Sequence, residues 1–298
     1  MTTQHDPDQE AATGGALPAA TTVGVVSLTV ADLDRSTAFY RDAIGLRMLA
    51  REDGRATLGV EGRQLLELVE EPGARPARGY TGLYHFALLL PERADLARWL
   101  AHVARERVPL QGASDHFVSE AVYLADPDGH GIEIYNDRPR SVWEGKVAER
   151  MTTLPLDVDD LFGELEDPRT EPFDGLPAGT VMGHVHLKVA TIPETVAFYR
   201  DALGFEVMAV YGSQAVFFAA GGYHHHLGAN TWESAGAPRP PAGSAALRHV
   251  TVVLPDTEAR EQAVRRLEAA GAEVVEVAAG PMVHDPSGNA VVLAATGE

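Results

Sequence analysis

One stretch of this chain occurs twice. Residues 36–49 read STAFYRDAIGLRML and residues 195–208 read TVAFYRDALGFEVM, which is close enough to require duplication. Each copy follows a short β-branched run, 23–30 (VGVVSLTV) or 182–189 (MGHVHLKV). Two further runs begin alike at 82–90 (GLYHFALLL) and 247–254 (LRHVTVVL), so the repeat is fourfold. In the first copy Asp32 or Asp34 caps a helix carrying Phe39 and Tyr40 that stops before Gly45. In the third, Pro193 and Glu194 open a helix that ends at Gly204. Three more strands follow each helix, and in the second and fourth copies an Asp-Pro-x-Gly turn feeds the last strand, at 126–129 and 285–288.

The predicted fold is therefore α+β, with four βαβββ modules paired into two open barrel-like clefts. Residues 1–21 read as a polar, disordered tail. Modules 22–71 and 82–137 make a first domain (22–137), and modules 181–232 and 245–296 a second (181–296). Residues 138–180 are an acidic linker with a short helix near 158–165. One module alone exposes an apolar sheet face, and pairing two modules covers it around a shared cleft.

Composition narrows the chemistry. A net charge of −19 opposes binding to nucleic acid or to an anionic membrane, and the absence of cysteine excludes thiolate catalysis and Cys-based metal sites. No apolar run reaches the roughly 18 to 20 residues of a membrane span. With no export signal either, the chain reads as cytoplasmic. Any metal must be held by His, Asp or Glu.

Equal positions in the repeats should face equal places. The first-strand column holds Val25, His85, His184 and His249; the last-strand column holds Glu67, Glu133, Leu227 and Val292. Pairing copies one and two offers Glu67, His85 and Glu133. Pairing three and four offers His184 and His249 without a carboxylate. Pairing two and three offers His85, His184 and Glu133, the facial set expected of a non-haem Fe(II) site, with Mn(II) as the alternative. Glu133 stands between Ile132 and Ile134, where a buried carboxylate needs a cation. The bland reading is that the histidines only hydrogen-bond in a polar cleft. His186 shares a face with His184 and is its substitute if the register is shifted. His130 and His249 read as structural.

The segments at 82–93, 119–143, 183–190 and 221–238 (GGYHHHLGANTWESAGAP) carry a resemblance. From about residue 22 the chain resembles the type I extradiol dioxygenases, especially the catechol 2,3-dioxygenase group of the vicinal oxygen chelate superfamily. That likeness implies Fe(II)-dependent cleavage of a catechol-type ring by dioxygen to a hydroxymuconic semialdehyde. It implies a small aromatic diol and dioxygen as partners, and a homo-oligomer. It also implies roles for Tyr123, ten residues before Glu133, as a hydrogen-bond donor to substrate, for His225 as the acid-base histidine, and for His116 as a further active-site histidine. His224 or His226 could replace His225, and Phe86, Phe217 or Trp232 could wall the ring. The better-known members keep all three ligands in the second half, where this chain has Val292 in place of the glutamate, so its resemblance implies a site assembled across the halves. A glyoxalase-like lyase or isomerase using Glu67, and a drug-binding protein without catalysis, are the rival readings.

Overall fold

The computed structural model describes residues 15–297. Of the expected tail, 1–14 lie outside the described residues. Residues 15–21 overturn the expectation, because Leu17 is buried and its N–H donates to the Gly204 carbonyl at 2.8 Å. An apolar side chain docked at a repeated helix end holds this segment.

Two sheets organise the mixed α+β chain, and each takes one module from either side of the connector. The eight-stranded sheet runs in the order Val275–Val277, Gly280–His284, Ala290–Ala295, Leu247–Leu254, Thr22–Val30, Arg63–Glu70, Arg55–Val60, Arg47–Glu52. It joins the first and fourth modules. The nine-stranded sheet has Gly112–Asp115, Ser119–Ala125, Gly131–Asp137 and Gly82–Leu89 on one side, and Val181–Lys188, Leu227–Asn230, Ala215–Ala219 and Glu206–Tyr211 on the other, with Leu154–Pro155 at its edge. It joins the second and third modules and curls as a half-barrel. Both sheets thus cut across the division into 22–137 and 181–296, because the first strands pair antiparallel across the halves: Val185 with Phe86, Val26 with Val250.

The register of these joints repeats too. A bulge falls between Met182 and His184 in one and between Val23 and Val26 in the other. It leaves His184 opposite Ala87 and His186 opposite His85, with side chains on one face.

Helices tie together the modules that the sheets separate. In both copies of AFYRDA the helix widens into a π-turn, Tyr40–Ile44 and Ala197–Leu203, in which the N–H of Gly45 or Gly204 reaches five residues back to Tyr40 or Tyr199. Those glycines close the turn at φ +93° and +104°, in the left-handed region where a side chain is strained. The buried indole of Trp99 donates to the Ala43 carbonyl at 3.1 Å, and Arg266 donates to Leu203 at 2.7 Å. Tyr40 and Tyr199 reach the aspartates of the Asp-Pro-x-Gly turns, Asp126 at 2.9 Å and Asp285 at 3.2 Å.

The connector is more structured than its composition suggested. It contains the expected helix as Val158–Phe162, two short turns at Arg140–Trp143 and Val147–Arg150, and buries Trp143 and Leu161. No helix among the described residues is long and apolar enough to cross a membrane.

Candidate metal centre

On the concave face of the nine-stranded sheet, His85, Glu133 and His184 present one ligand atom each, all within 4.8 Å of one another. His85 comes from Gly82–Leu89, Glu133 from the parallel neighbour Gly131–Asp137, and His184 from the antiparallel neighbour Val181–Lys188. His85 Nε2 lies 3.1 Å and His184 Nε2 3.2 Å from the same oxygen, Glu133 Oε2. Ligand atoms about 2.1 Å from one ion, in adjacent octahedral positions, stand about 3 Å apart, so these spacings fit a divalent metal.

The donor set fits one for a second reason. His85 Nε2 is buried and makes no hydrogen bond, which is costly for a polar atom unless a cation takes its lone pair. Burial raises the Glu133 carboxyl, yet the charge and hydrogen bond of His184 and the closeness of His85 outweigh it and hold the group well below the usual carboxylate range. Burial pushes His184 down from the usual imidazole value, against the pull of Glu133. Both directions favour the forms that bind a metal, an ionised Glu133 carboxylate and a neutral His184 imidazole.

A cavity of about 560 Å3 opens above the three, lined among others by Tyr84, His116, Tyr123, Phe217, His225 and Trp232. Tyr123 stands directly across from Glu133 in the neighbouring strand. Burial and the Glu133 charge raise its phenol well above the usual value, so it stays a donor. Its O–H donates to His116 Nε2 at 2.6 Å, while His116 Nδ1 donates to the Thr152 carbonyl at 2.7 Å. On the opposite wall the His225 ring packs on His184, with centroids 4.1 Å apart. Burial first, then the neighbouring histidines, pushes His225 well below the usual imidazole range.

Known proteins share this architecture. The sequence profile described as the Glyoxalase/Bleomycin resistance protein/Dioxygenase superfamily matches residues 22–134 and 181–293. The chain belongs to that superfamily. It is 42% identical over 280 residues to a catechol-2,3-dioxygenase of Bacillus subtilis (strain 168), covering 91% of this chain and 96% of the relative. Among solved structures, a candidate dioxygenase of Bacillus subtilis subsp. subtilis str. 168 superposes with a TM-score of 0.63 at 18% identity, over 95% of this chain and 87% of that one. Glyoxalase I from Zea mays gives 0.56 at 16% identity, over 92% of each chain. At such identities the two structures speak for the superfamily fold alone.

The superfamily arrangement brings some expected residues together and separates others. His85, His184, Glu133, Tyr123, His116 and His225 share the cavity. Glu67 does not, because its strand belongs to the other sheet, and this removes the set Glu67, His85 and Glu133. His249 lies with Glu67 beside a second hollow. The column entry for the third module shifts from Leu227 to Gly228: Glu67 pairs with Ser27, and the residue pairing with the equivalent His186 is Gly228. A Cβ at Gly228 would approach the His186 ring to 2.9 Å, so glycine leaves that ring its room. His186 is buried beside His85 with Nε2 unpartnered, and it stands outside the group of three. Phe86 is fully buried in the core and does not wall the cavity, whereas Phe217 and Trp232 do. His130 donates through Nε2 to the Thr29 carbonyl of the other sheet at 2.9 Å.

Of the histidine run, only His225 lines the cavity. It sits in the loop that precedes the strand beginning at Leu227. Sequence reasoning missed Thr152, which holds His116, and Asp137, whose Oδ1 lies 2.8 Å from His224 Nε2. The first acts through its carbonyl, which has no residue signature. The second is a polar residue at a strand end, where acids are common.

Proposed function

We propose that the protein is an extradiol dioxygenase that opens a catechol-type ring beside the diol, with Fe(II) held by His85, His184 and Glu133 and Mn(II) as the alternative ion. The observation that carries this reading is the convergence of two imidazole nitrogens on one buried carboxylate oxygen, in a chain 42% identical to a catechol-2,3-dioxygenase. Two-histidine, one-carboxylate sets of this kind suit non-haem iron and leave coordination positions open. Bound Fe(II) supplies adjacent sites for a bidentate diol and the redox capacity that dioxygen needs to react with a closed-shell ring.

The chain's own residues do the rest. His225 enters neutral and takes a proton from a diol hydroxyl. Tyr123, protonated, turns its one O–H from His116 Nε2 toward oxygen atoms of the reacting ring, and His116 is the acceptor that otherwise holds that phenol in place. Phe217, Trp232 and Tyr84 flank the ring and keep bulk water from it. The product is a hydroxymuconic semialdehyde.

Two finer points of architecture belong to the same proposal. The eight-stranded sheet forms a second open cleft without metal, and the segments 22–137 and 181–296 are units of duplication, with 138–180 joining them. The test is anaerobic loading with Fe(II) followed by catechol and oxygen. Stoichiometric iron, oxygen uptake and a yellow ring-opened product are expected. Iron-replete protein that consumes no oxygen with any simple catechol would remove the reading, and a glyoxalase-like proton transfer would then take its place.

A further inference from the structure

Behind His225, away from the cavity, runs a chain of hydrogen bonds that ends at solvent. His225 Nδ1 and His224 Nδ1 are 2.8 Å apart. His224 Nε2 is 2.8 Å from Asp137 Oδ1, and the other carboxylate oxygen accepts from the Tyr223 hydroxyl at 2.9 Å. The Tyr135 hydroxyl in turn lies 2.9 Å from that of Tyr223. His224 is fully buried, whereas the Asp137 side chain is 21% exposed.

Two nitrogens facing each other share one proton, so the direction of the chain must be settled from its ends. A carboxylate only accepts. Asp137 therefore takes the N–H of His224 Nε2, which leaves Nδ1 of a neutral His224 bare. That bare nitrogen accepts from His225 Nδ1, and His225 must then carry its proton on Nδ1. Its Nε2, which has no hydrogen-bond partner among the described residues, is left with a lone pair on the ring that lines the cavity. The neutral form of His224 satisfies both of its nitrogens, and a fully buried imidazolium is not needed to complete the chain.

We propose that Asp137 and His224 are positioning residues that lock His225 into the Nδ1–H tautomer and fix its ring angle, so that Nε2 is aimed at a substrate hydroxyl. The consequence for catalysis rests on the dioxygenase reading; the tautomer does not. When Nε2 takes a proton from that hydroxyl, Nδ1 keeps its own and donates it to His224 more strongly. The carboxylate lies one ring further out and favours the charge that has formed. The sequence holds the parts in GGYHHH and in Asp137, 87 residues earlier than His224, and only the pairing of the second and third modules brings them together.

The test reads the tautomer directly. In metal-free, full-length protein labelled with 15N-histidine, imidazole correlation spectra should show His225 protonated on Nδ1 and His224 on Nε2, with His225→Gln assigning the first ring by its disappearance. A His225 protonated on Nε2, or a His224 carrying both protons, overturns the proposal. In Fe(II)-loaded Asp137→Asn, kcat should fall by about tenfold or more while iron content and KM for catechol hold, because an amide can turn its donor toward His224 and reverse the chain. Unchanged kcat would overturn it as well. Wild-type protein that shows these tautomers and cleaves no catechol would count against the ring-opening reading alone.

Discussion

The two sheets are built alike, down to the bulges in their central joints, yet they handle carboxylates in opposite ways. In the nine-stranded sheet Glu133 is sealed against His85 and His184, with 3% of its side chain exposed. At the matching positions the eight-stranded sheet has Val292, His249 and Val25, and the Val292 side chain is fully buried. Its own carboxylate, Glu67, stands three strands from Val292 on Arg63–Glu70, accepts from Ser27 Oγ at 2.5 Å and Arg55 at 3.2 Å, and remains 19% exposed. A carboxylate beside a guanidinium and water is already satisfied, whereas one sealed between two buried imidazoles calls for a metal. The difference between a metal site and a vestige lies in which residues occupy two positions of a shared scaffold, Val292 where the other sheet has Glu133 and Val25 where it has a histidine.

The largest expected effect comes from copying the vestige into the site. Glu133→Val should abolish iron binding and lower turnover by about a thousandfold or more, since the remaining two histidines cannot hold the ion in a facial arrangement. The metal-free protein should nevertheless melt at the wild-type temperature or above it, because an apolar residue replaces a buried charge. Iron retained at full stoichiometry, measured by metal analysis, would show that Glu133 is no ligand and that the contrast between the sheets is an accident of packing.

The reverse exchange is expected to be smaller and to act on stability. Val292→Glu places a carboxylate in a fully buried position with His249 nearby and no second imidazole at Val25. It should cost about 3 kcal/mol or more at neutral pH, leaving catechol turnover intact. Thermal unfolding with and without divalent metal checks this. A variant as stable as wild type without metal would mean that the eight-stranded sheet is more open to water at that point than its counterpart.

Much of this contrast was legible before any coordinates. The AFYRDA copies, the four strand openings and the Asp-Pro-x-Gly turns are periodic side-chain signals, and they place His85, His184 and Glu133 in corresponding columns. Which modules pair was open in the strand patterns, because backbone hydrogen bonds at a strand edge leave little mark on the residues that form it. His225 was found through resemblance, and the loop that carries it has no period to read. Glu67 was ambiguous because an alternating Leu/Glu run does not reveal which sheet will receive it. The ordered residues 15–21 were missed because one apolar side chain, Leu17, in an Ala/Gly-rich segment is too weak a signal of docking.

The smallest effect separates the two halves at their helices. Tyr40 and Tyr199 are both fully buried in π-turns, and each donates to an aspartate whose Oδ1 already accepts two backbone N–H groups. The second oxygens differ. Asp285 Oδ2 also accepts from Asn289 Nδ2 at 2.9 Å, whereas Asp126 Oδ2 has Tyr40 as its one donor among the described residues. Removing the phenol hydroxyl from Tyr199 therefore leaves its acceptor partly satisfied, and removing it from Tyr40 strands a buried carboxylate oxygen. Tyr40→Phe should cost about 1 to 3 kcal/mol and Tyr199→Phe about 1 kcal/mol or less, read from urea unfolding of the two variants. Equal losses would mean that the Asn289 bond contributes nothing, and a larger loss at Tyr199 would reverse the ranking of the two turns.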